Sequence, residues 1–246
     1  MIKSKSFAIA VVMPVYNEAE GIKEFLQDLN EIFQDYNTIF IIIDDKSTDQ
    51  SVKEIDNTSK EINLPIKLIK NEINLGHGPS TFIALAEGAK IAQIVISMDG
   101  DGQFHSKDIK QGYDFFTNNC LDILEGARVN RNDPWFRKII TFLLKYFVYF
   151  KSRQLPLDAN TPLRFYKSDV LLHLLDCLEK NTSITNIFIS VLSRRHRLKI
   201  GNYQVLSRQR RGLVETGSTW GSHNRNIPSK NFIKFCWRAF FEALKI

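Results

Sequence analysis

Residues 94–103 read Ile94-Val-Ile-Ser-Met98-Asp99-Gly-Asp101-Gly-Gln103, a short β-branched, apolar run that ends on two carboxylates separated by one glycine. A run this short and this rich in isoleucine and valine is a strand buried on both faces. The pattern recurs along the first half of the chain. Phe7–Met13 leads into Pro14-Val-Tyr16-Asn-Glu18, Ile39–Ile43 into Asp44-Asp45-Lys46-Ser47-Thr-Asp49, and Leu121–Leu124 into Gly126-Ala-Arg128, with Ile66–Ile69 as a further strand. Helical patterns at about 20–33, 50–60, 79–92 and 107–118 separate them. The alternation predicts an α/β fold whose mostly parallel sheet carries helices on both faces. In such sheets ligands sit beyond the carboxyl ends of the strands, which is where the polar segments fall.

The chain has 246 residues, and at about 150 per domain one α/β unit accounts for most of it. From residue 135 onward longer helices take over, with one more strand at Ile200–Leu206, as an extension over the same sheet. With 43% hydrophobic and 24% charged residues the chain has ordinary globular composition, which excludes wholesale disorder. The net charge of +6 points toward an anionic partner such as phosphate, nucleic acid or lipid headgroups, without choosing among them. Cys120, Cys177 and Cys236 are too far apart for a Cys-x-x-Cys site and odd in number, which fits a reducing cytosol. The start of the chain does not read as a secretory signal. The most apolar stretch, Ile139–Phe150, is twelve residues long and contains Lys145, whereas a spanning helix needs about 20 apolar residues.

Two segments are nevertheless greasier than a soluble enzyme requires. In Trp135–Lys151, Phe136, Ile139, Ile140, Leu143, Phe147 and Phe150 follow helical spacing. Near the C-terminus Lys230, Lys234, Arg238 and Glu242 recur every four residues, and Phe232, Phe235, Trp237, Phe240, Phe241 and Leu244 cover the rest of the helix. Each segment is either a core-packing helix or one lying in the headgroup plane with its bases snorkelling outward. The mixture of bases and aromatics favours the membrane surface.

The strand ends carry the chemistry. Asp99 and Asp101, leaving one strand end around a single glycine, can approach one hard cation such as Mg2+ or Mn2+, with Gln103 and His105 lining the same mouth. Asp44 and Asp45 can accept hydrogen bonds from a nucleobase or ribose, while Ser47 or Asp49 caps the next helix. Asn74-Leu-Gly76-His77-Gly78, with Ala84 and Gly88 beyond, allows close approach of backbone to a ligand or strand. It is neither a Gly-x-Gly-x-x-Gly nor a P-loop, and no zinc or Gly-x-Ser-x-Gly spacing occurs. His173 and His196 read as helix-surface or packing residues. Arg194, Arg195 and Arg197, then Arg208, Arg210 and Arg211, form a basic cluster suited to a diphosphate.

Taken in order, Pro14 to Glu18, Asp44 to Asp49, Asn74 to Gly78, Asp99 to Gln103, Gly126 to Arg128, Arg137-Lys138, and Asp158 with Arg164 resemble the family 2 glycosyltransferases of GT-A fold, particularly the polyprenyl- or dolichyl-phosphate sugar synthases. The resemblance covers about residues 7–167. It implies a GT-A, Rossmann-like sheet with C-terminal amphipathic helices. It further implies that Pro14, Tyr16, Glu18 and Asp45 hold the nucleotide, that Asp99, Asp101 and Gln103 hold the metal, and that Arg128, Lys138 and Arg164 hold phosphates of donor or acceptor. One of Arg208, Arg210 and Arg211 would close over the diphosphate; the spacing leaves the choice open. Lys46 stands where the family has glycine, and Thr161-Pro-Leu163 replaces a glycine-aromatic pair, departures that bear on the acceptor more than on the donor.

The expected reaction is an inverting, Mg2+- or Mn2+-dependent transfer from a nucleoside diphosphate sugar to polyprenyl or dolichyl phosphate, with Asp101, Asp158 and Arg164 as catalytic residues. A glycan hydroxyl is the alternative acceptor and would need Asp158 as base, unless Asp158 simply pairs with Arg164. A non-catalytic sugar-nucleotide or membrane-binding module is a third reading, against which the intact metal mouth speaks. Residues 1–228 would form the catalytic domain and 229–246 an amphipathic helix, the whole peripheral on the cytoplasmic face of the membrane, with no nucleic-acid partner.

Overall fold

The computed structural model describes residues 5–129, 135–208, 210–211 and 230–244. In chain order they form β1 (Phe7–Val15), α1 (Ile22–Phe33), β2 (Thr38–Asp44), α2 (Ser51–Glu61), β3 (Ile66–Lys70), α3 (His77–Ile91), β4 (Ala92–Ser97), α4 (Ser106–Asn118) and β5 (Ile123–Val129). The chain continues as α5 (Trp135–Ser152), β6 (Arg164–Lys167), α6 (Ser168–Asp176), α7 (Thr185–Arg195), β7 (Ile200–Leu206) and α8 (Lys230–Leu244). The strands make one sheet in the order β3-β2-β1-β4-β6-β5-β7. β6 runs antiparallel to both of its neighbours, and the remaining pairings are parallel.

Both faces of this sheet are covered because its central strands β1 and β2 are apolar on both. Along β1, Ile9, Val11, Met13 and Val15 enter one core with Phe25, Leu26, Leu29 and Phe33 of α1. Ala10 and Val12 enter the other, with Leu85 and Ala89 of α3 and Leu171 and Leu174 of α6. Each fully buried side chain of this size stabilises the fold by about 1.5–3 kcal/mol, so neither face tolerates a register slip. Gly88 lets α3 press onto the sheet: a Cβ there would lie 2.7 Å from Val12 Cγ1. A third core joins Val148 of α5, Ile187, Phe188 and Val191 of α7, and Ala239 of α8.

The elements depart from the sequence expectation in instructive places. β1 runs on through Pro14 and Val15, and β5 starts at Ile123, so Gly126-Ala127-Arg128 lies inside a strand held by β7, not beyond one. β6 carried no signal, since its four residues are too few to show a period. The N-cap of α2 is Gln50, without a side-chain cap bond; Asp49 Oδ1 instead accepts the Ser51 N–H at 2.9 Å, one position further on.

α8 is neither wholly core nor wholly surface. Ala239 is buried and Glu242 accepts hydrogen bonds from Ser183 N and Oγ, both at 2.7 Å, and from Thr182 Oγ1. Arg238 turns to Glu242 and to the Asn181 carbonyl. Part of the expected outward polar stripe is therefore the docking seam, and the outward face is apolar: Ile233, Trp237, Phe240, Phe241 and Leu244 are exposed. Trp135, Ile139, Phe142, Leu143 and Phe150 of α5 are exposed as well, and a groove of about 450 Å³ runs between the two helices. Among the described residues no helix is long and apolar enough to cross a membrane.

Candidate active site

The carboxyl ends of β1, β2 and β4 lie side by side, because Val15 pairs with Asp44 and Val12 with Ser97. Asp45 is buried at this junction and donates its N–H to Val15 O at 2.8 Å. Its carboxylate accepts hydrogen bonds from Asn71 Nδ2, Leu75 N and Gly76 N, each at 2.8 Å. That draws residues 71–76 against the strand end, and Gly76, with φ of 90°, makes the turn a side chain would strain. Asp44 accepts the Ser47 N–H, and Glu18 N–H reaches Ser51 Oγ at 2.7 Å. Lys46, where the resembled family has glycine, sits in the left-handed region at φ 62° and donates to Glu72 O at 2.8 Å. A side chain in this left-handed conformation costs about 1–2 kcal/mol, where glycine would cost less.

Asp99 and Asp101 follow β4 and open into the same mouth as Glu18. Asp101 Oδ1 accepts the Gln103 N–H at 3.1 Å, across a turn in which Gly102 has φ of 66°. Burial, reinforced by the nearby charges of Asp99 and Glu18 and opposed by Arg210, pushes the Asp101 carboxyl up to about 7. Burial also raises Glu18, against the pull of Arg210. Such crowding of carboxylates is costly unless a cation joins them. The oxygen donors of Asp99, Asp101 and Gln103 suit a hard divalent ion. His77, at the start of α3, brings Nε2 to 3.6 Å from Asp99 Oδ1. Pro14 is buried and Tyr16 half-buried at the adjoining end of β1.

The arginine segment lies across this mouth. Arg208 N donates to Gln103 O at 2.9 Å and Arg211 N to Asp101 O at 3.1 Å. The side chains then diverge: Arg208 meets His105, Arg210 pairs with Glu18, and Arg211 turns to Asp28 and Glu24 of α1, over the Phe25 ring. Arg210 is therefore the one of the three that pairs with a carboxylate of the mouth, while Arg211 also lies against Gly102.

The last group separates into two sites. Arg128 holds Asp158 through Nε–Oδ2 at 2.8 Å and Nη2–Oδ1 at 3.2 Å, and Asp158 Oδ1 also accepts the Asn160 N–H at 3.2 Å. The expected Asp158–Arg164 pair is not what forms among the described residues. Arg164 is fully buried, donates to Thr161 O, Ala159 O and Ser190 Oγ, and places Nη1 3.4 Å from Glu125 Oε1. Arg194 reaches the same carboxylate at 2.6 Å. Burial would raise Glu125, but the two guanidiniums outweigh it and hold the carboxyl low. A guanidinium so enclosed is not presented to a phosphate, so the geometry gives Arg164 a structural place. Thr161 Oγ1 donates to Gly126 O at 2.5 Å, and Leu163 packs on Gly126. Lys138 is exposed on the first turn of α5. Glu125, Arg194, Ser190 and His77 were missed as partners; a lone glutamate inside an apolar strand was the available signal for Glu125.

Residues 10–171 match the family described as Glycosyl transferase family 2. Over 197 residues the chain is 27% identical to undecaprenyl-phosphate 4-deoxy-4-formamido-L-arabinose transferase of Proteus mirabilis (strain HI4320), covering 76% of this chain and 57% of that protein. A protein of the same name from Enterobacter sp. (strain 638) is 25% identical over 186 residues, covering 72% and 54%. The chain spans just over half the length of these curated relatives. Among solved structures, glucosyl-3-phosphoglycerate synthase from Mycobacterium tuberculosis superposes with a TM-score of 0.63 at 16% identity, over 85% of this chain and 73% of that one. A mannosyltransferase from Pyrobaculum calidifontis in complex with GDP-Man and Mn2+ gives 0.61 at 14%, over 99% and 66%. These likenesses show the GT-A fold.

Proposed function

The chain belongs to glycosyl transferase family 2, and from that membership we propose that it transfers a sugar from a nucleoside diphosphate sugar to a polyprenyl phosphate, with inversion at the anomeric carbon. The observation that carries this reading is the mouth itself, where Asp99 and Asp101 crowd together beside Glu18 and Arg210. Asp99, Asp101 and Gln103 would hold Mg2+ or Mn2+, which when bound supplies charge against that growing on the departing diphosphate. Arg210 leaves Glu18 to make charge-assisted hydrogen bonds to the same diphosphate. Pro14, Tyr16 and Glu18 line the nucleotide, and Asp45 shapes its pocket by pinning residues 71–76. Arg128, held by Asp158, and the exposed Lys138 serve the phosphates.

Three features support a lipid phosphate as acceptor: the names of the two curated relatives, the apolar outward face of α5 and α8, and the engagement of Asp158. A phosphate is already anionic and needs no base, whereas both Asp158 oxygens are committed to Arg128. The face of α5 and α8 would rest on the cytoplasmic surface of the membrane as a peripheral contact. A panel of labelled nucleotide sugars, offered to the purified protein with polyprenyl phosphate or with glycan acceptors and Mg2+ or Mn2+, tests this. Label in an acid-labile lipid fraction with an inverted anomer is expected. Label confined to glycan, or no turnover with any donor, overturns it.

A further inference from the structure

Away from the mouth, the chain brings together three side chains that the transfer reaction does not use. His173 lies in the last turn of α6, Cys177 is the C-cap of that helix, and His196 is the C-cap of α7. All three are exposed, and one ligand atom from each, imidazole nitrogen or Sγ, lies within 4.8 Å of the others. The two rings stand edge to face with centroids 5.2 Å apart.

We propose that His173, Cys177 and His196 form a binding site for a borderline-soft divalent cation of the zinc class, distinct from the hard-cation mouth at Asp99 and Asp101. The donor set argues for the metal: one thiolate and two imidazoles suit zinc, whereas magnesium and manganese prefer oxygen. Spacing argues for the geometry. His173 and Cys177 are four apart along one helix face and therefore neighbours. With metal–sulfur near 2.3 Å and metal–nitrogen near 2.0–2.1 Å, tetrahedral ligand atoms stand roughly 3.3–3.6 Å apart. Closing from 4.8 Å needs only side-chain rotation by exposed groups.

The backbone fixes where the three donors start. After α7, Arg197 takes φ of 53°, Leu198 N–H donates to Ser193 O at 3.1 Å, and Arg197 N–H to Arg194 O at 3.0 Å. These two bonds form a Schellman closure that holds His196 at the helix end. Leu174 and Leu175 of α6, Leu178 just beyond it, and Ile189, Leu192 and Leu198 from α7 and its exit share one core, so the two ends are already packed together. Both are helix C-termini, the negative ends of their macrodipoles, which favours a cation between them. Binding releases the Cys177 thiol proton to solvent, the thiolate and the two neutral imidazoles leaving one position for water. The bound ion would clip α6 to α7.

Cobalt(II) in place of zinc gives the test, using the full chain in an Asp101→Asn background to silence the oxygen site. Chelator-washed protein should take up cobalt with a sulfur-to-metal charge-transfer band and intense tetrahedral d–d bands. Cys177→Ser should abolish the first, and His196→Asn should weaken the second at least tenfold in affinity. Zinc should protect Cys177 from alkylation, mapped by mass spectrometry, while Cys120, also exposed, keeps its rate. Unchanged bands in Cys177→Ser, or alkylation of Cys177 undiminished at saturating zinc, would overturn the site. The three residues are exposed, so the variants should fold, and Cys177→Ser made in the chain that keeps Asp101 should equal that chain in glycosyl transfer.

Discussion

Arg128 grips Asp158 through two nitrogen–oxygen contacts of 2.8 and 3.2 Å, both partners largely withdrawn from solvent. A carboxylate held this way orients a guanidinium; it is poorly placed to take a proton. Asp158→Asn should therefore cost about tenfold in kcat/KM, not the roughly 10²–10⁴-fold of a lost general base. Arg128→Ala should cost as much, and the double variant no more than either single one, because the two act as one unit. Additive losses in this cycle would restore Asp158 as an independent catalytic group.

The Asp101 carboxyl, raised from 3.8 to about 7, is favoured by the fold in its neutral form. In metal-free protein the stability it contributes is therefore complete below about pH 4 and lost as pH rises through about 7. A divalent cation needs the ionised form. Mn2+ affinity measured calorimetrically should rise about tenfold per pH unit up to about 7 and then level off. Asp101→Asn should flatten that dependence, remove metal-stimulated turnover, and leave metal-free protein more stable than the parent above pH 7. Asp99→Asn should likewise remove metal-stimulated turnover, and activity within twofold of the parent would defeat the metal assignment.

Glu125 is the single carboxylate within salt-bridge distance of buried Arg164 and Arg194 among the described residues. Removing it strands two buried cations. Glu125→Gln should destabilise the protein by about 3–5 kcal/mol. At roughly 2–4 °C per kcal/mol for a chain of this size, the melting temperature should drop by about 6–20 °C. A fall of under 2 °C would show that the cluster is solvated in practice.

Arg210 and Arg211 are neighbours in sequence but face different groups, Glu18 for one and Asp28 with Glu24 for the other. Arg210→Ala should weaken handling of the nucleotide sugar by about 10–100-fold in kcat/KM, the range of a lost charged hydrogen bond. Arg211→Ala should act mainly on thermal stability. The reverse ranking in steady-state kinetics would reassign the arginine that meets the diphosphate.

Trp237, Phe240 and Phe241 form one exposed aromatic group on α8, on the side away from buried Ala239. Replacing all three by serine should leave the melting temperature within a few degrees, since they pack on no core, yet abolish sedimentation with anionic liposomes. High salt should weaken the parent's binding too. If the parent stays in the supernatant at low salt, the face serves another purpose. Of the bases Lys230, Lys234 and Arg238 in this segment, the side chain of Lys230 lies outside the described residues.

The parallel core was legible from one dimension because its cause is local. Ile39–Ile43 and Ile94–Met98 are apolar on both faces, and only a sheet covered twice can bury them. The same runs pointed to Asp45, Asp99 and Asp101, since residues just past a buried parallel strand must emerge at the ligand edge. Partnership was not legible, because it depends on which distant segments the sheet order makes adjacent. Nothing in the spacing of Asp158 and Arg164 says that one will meet Arg128 and the other Glu125; that pairing arises from β6 entering antiparallel between β4 and β5, which draws Arg164 inside. The pairing of Arg210 with Glu18, the docking of Glu242 on Ser183, and the meeting of His173 with His196 are likewise tertiary. Sequence sets which side chains a strand or helix can present, through periods of two and 3.6. Only the packed chain, where burying a charge demands a partner in reach, decides which of them meet.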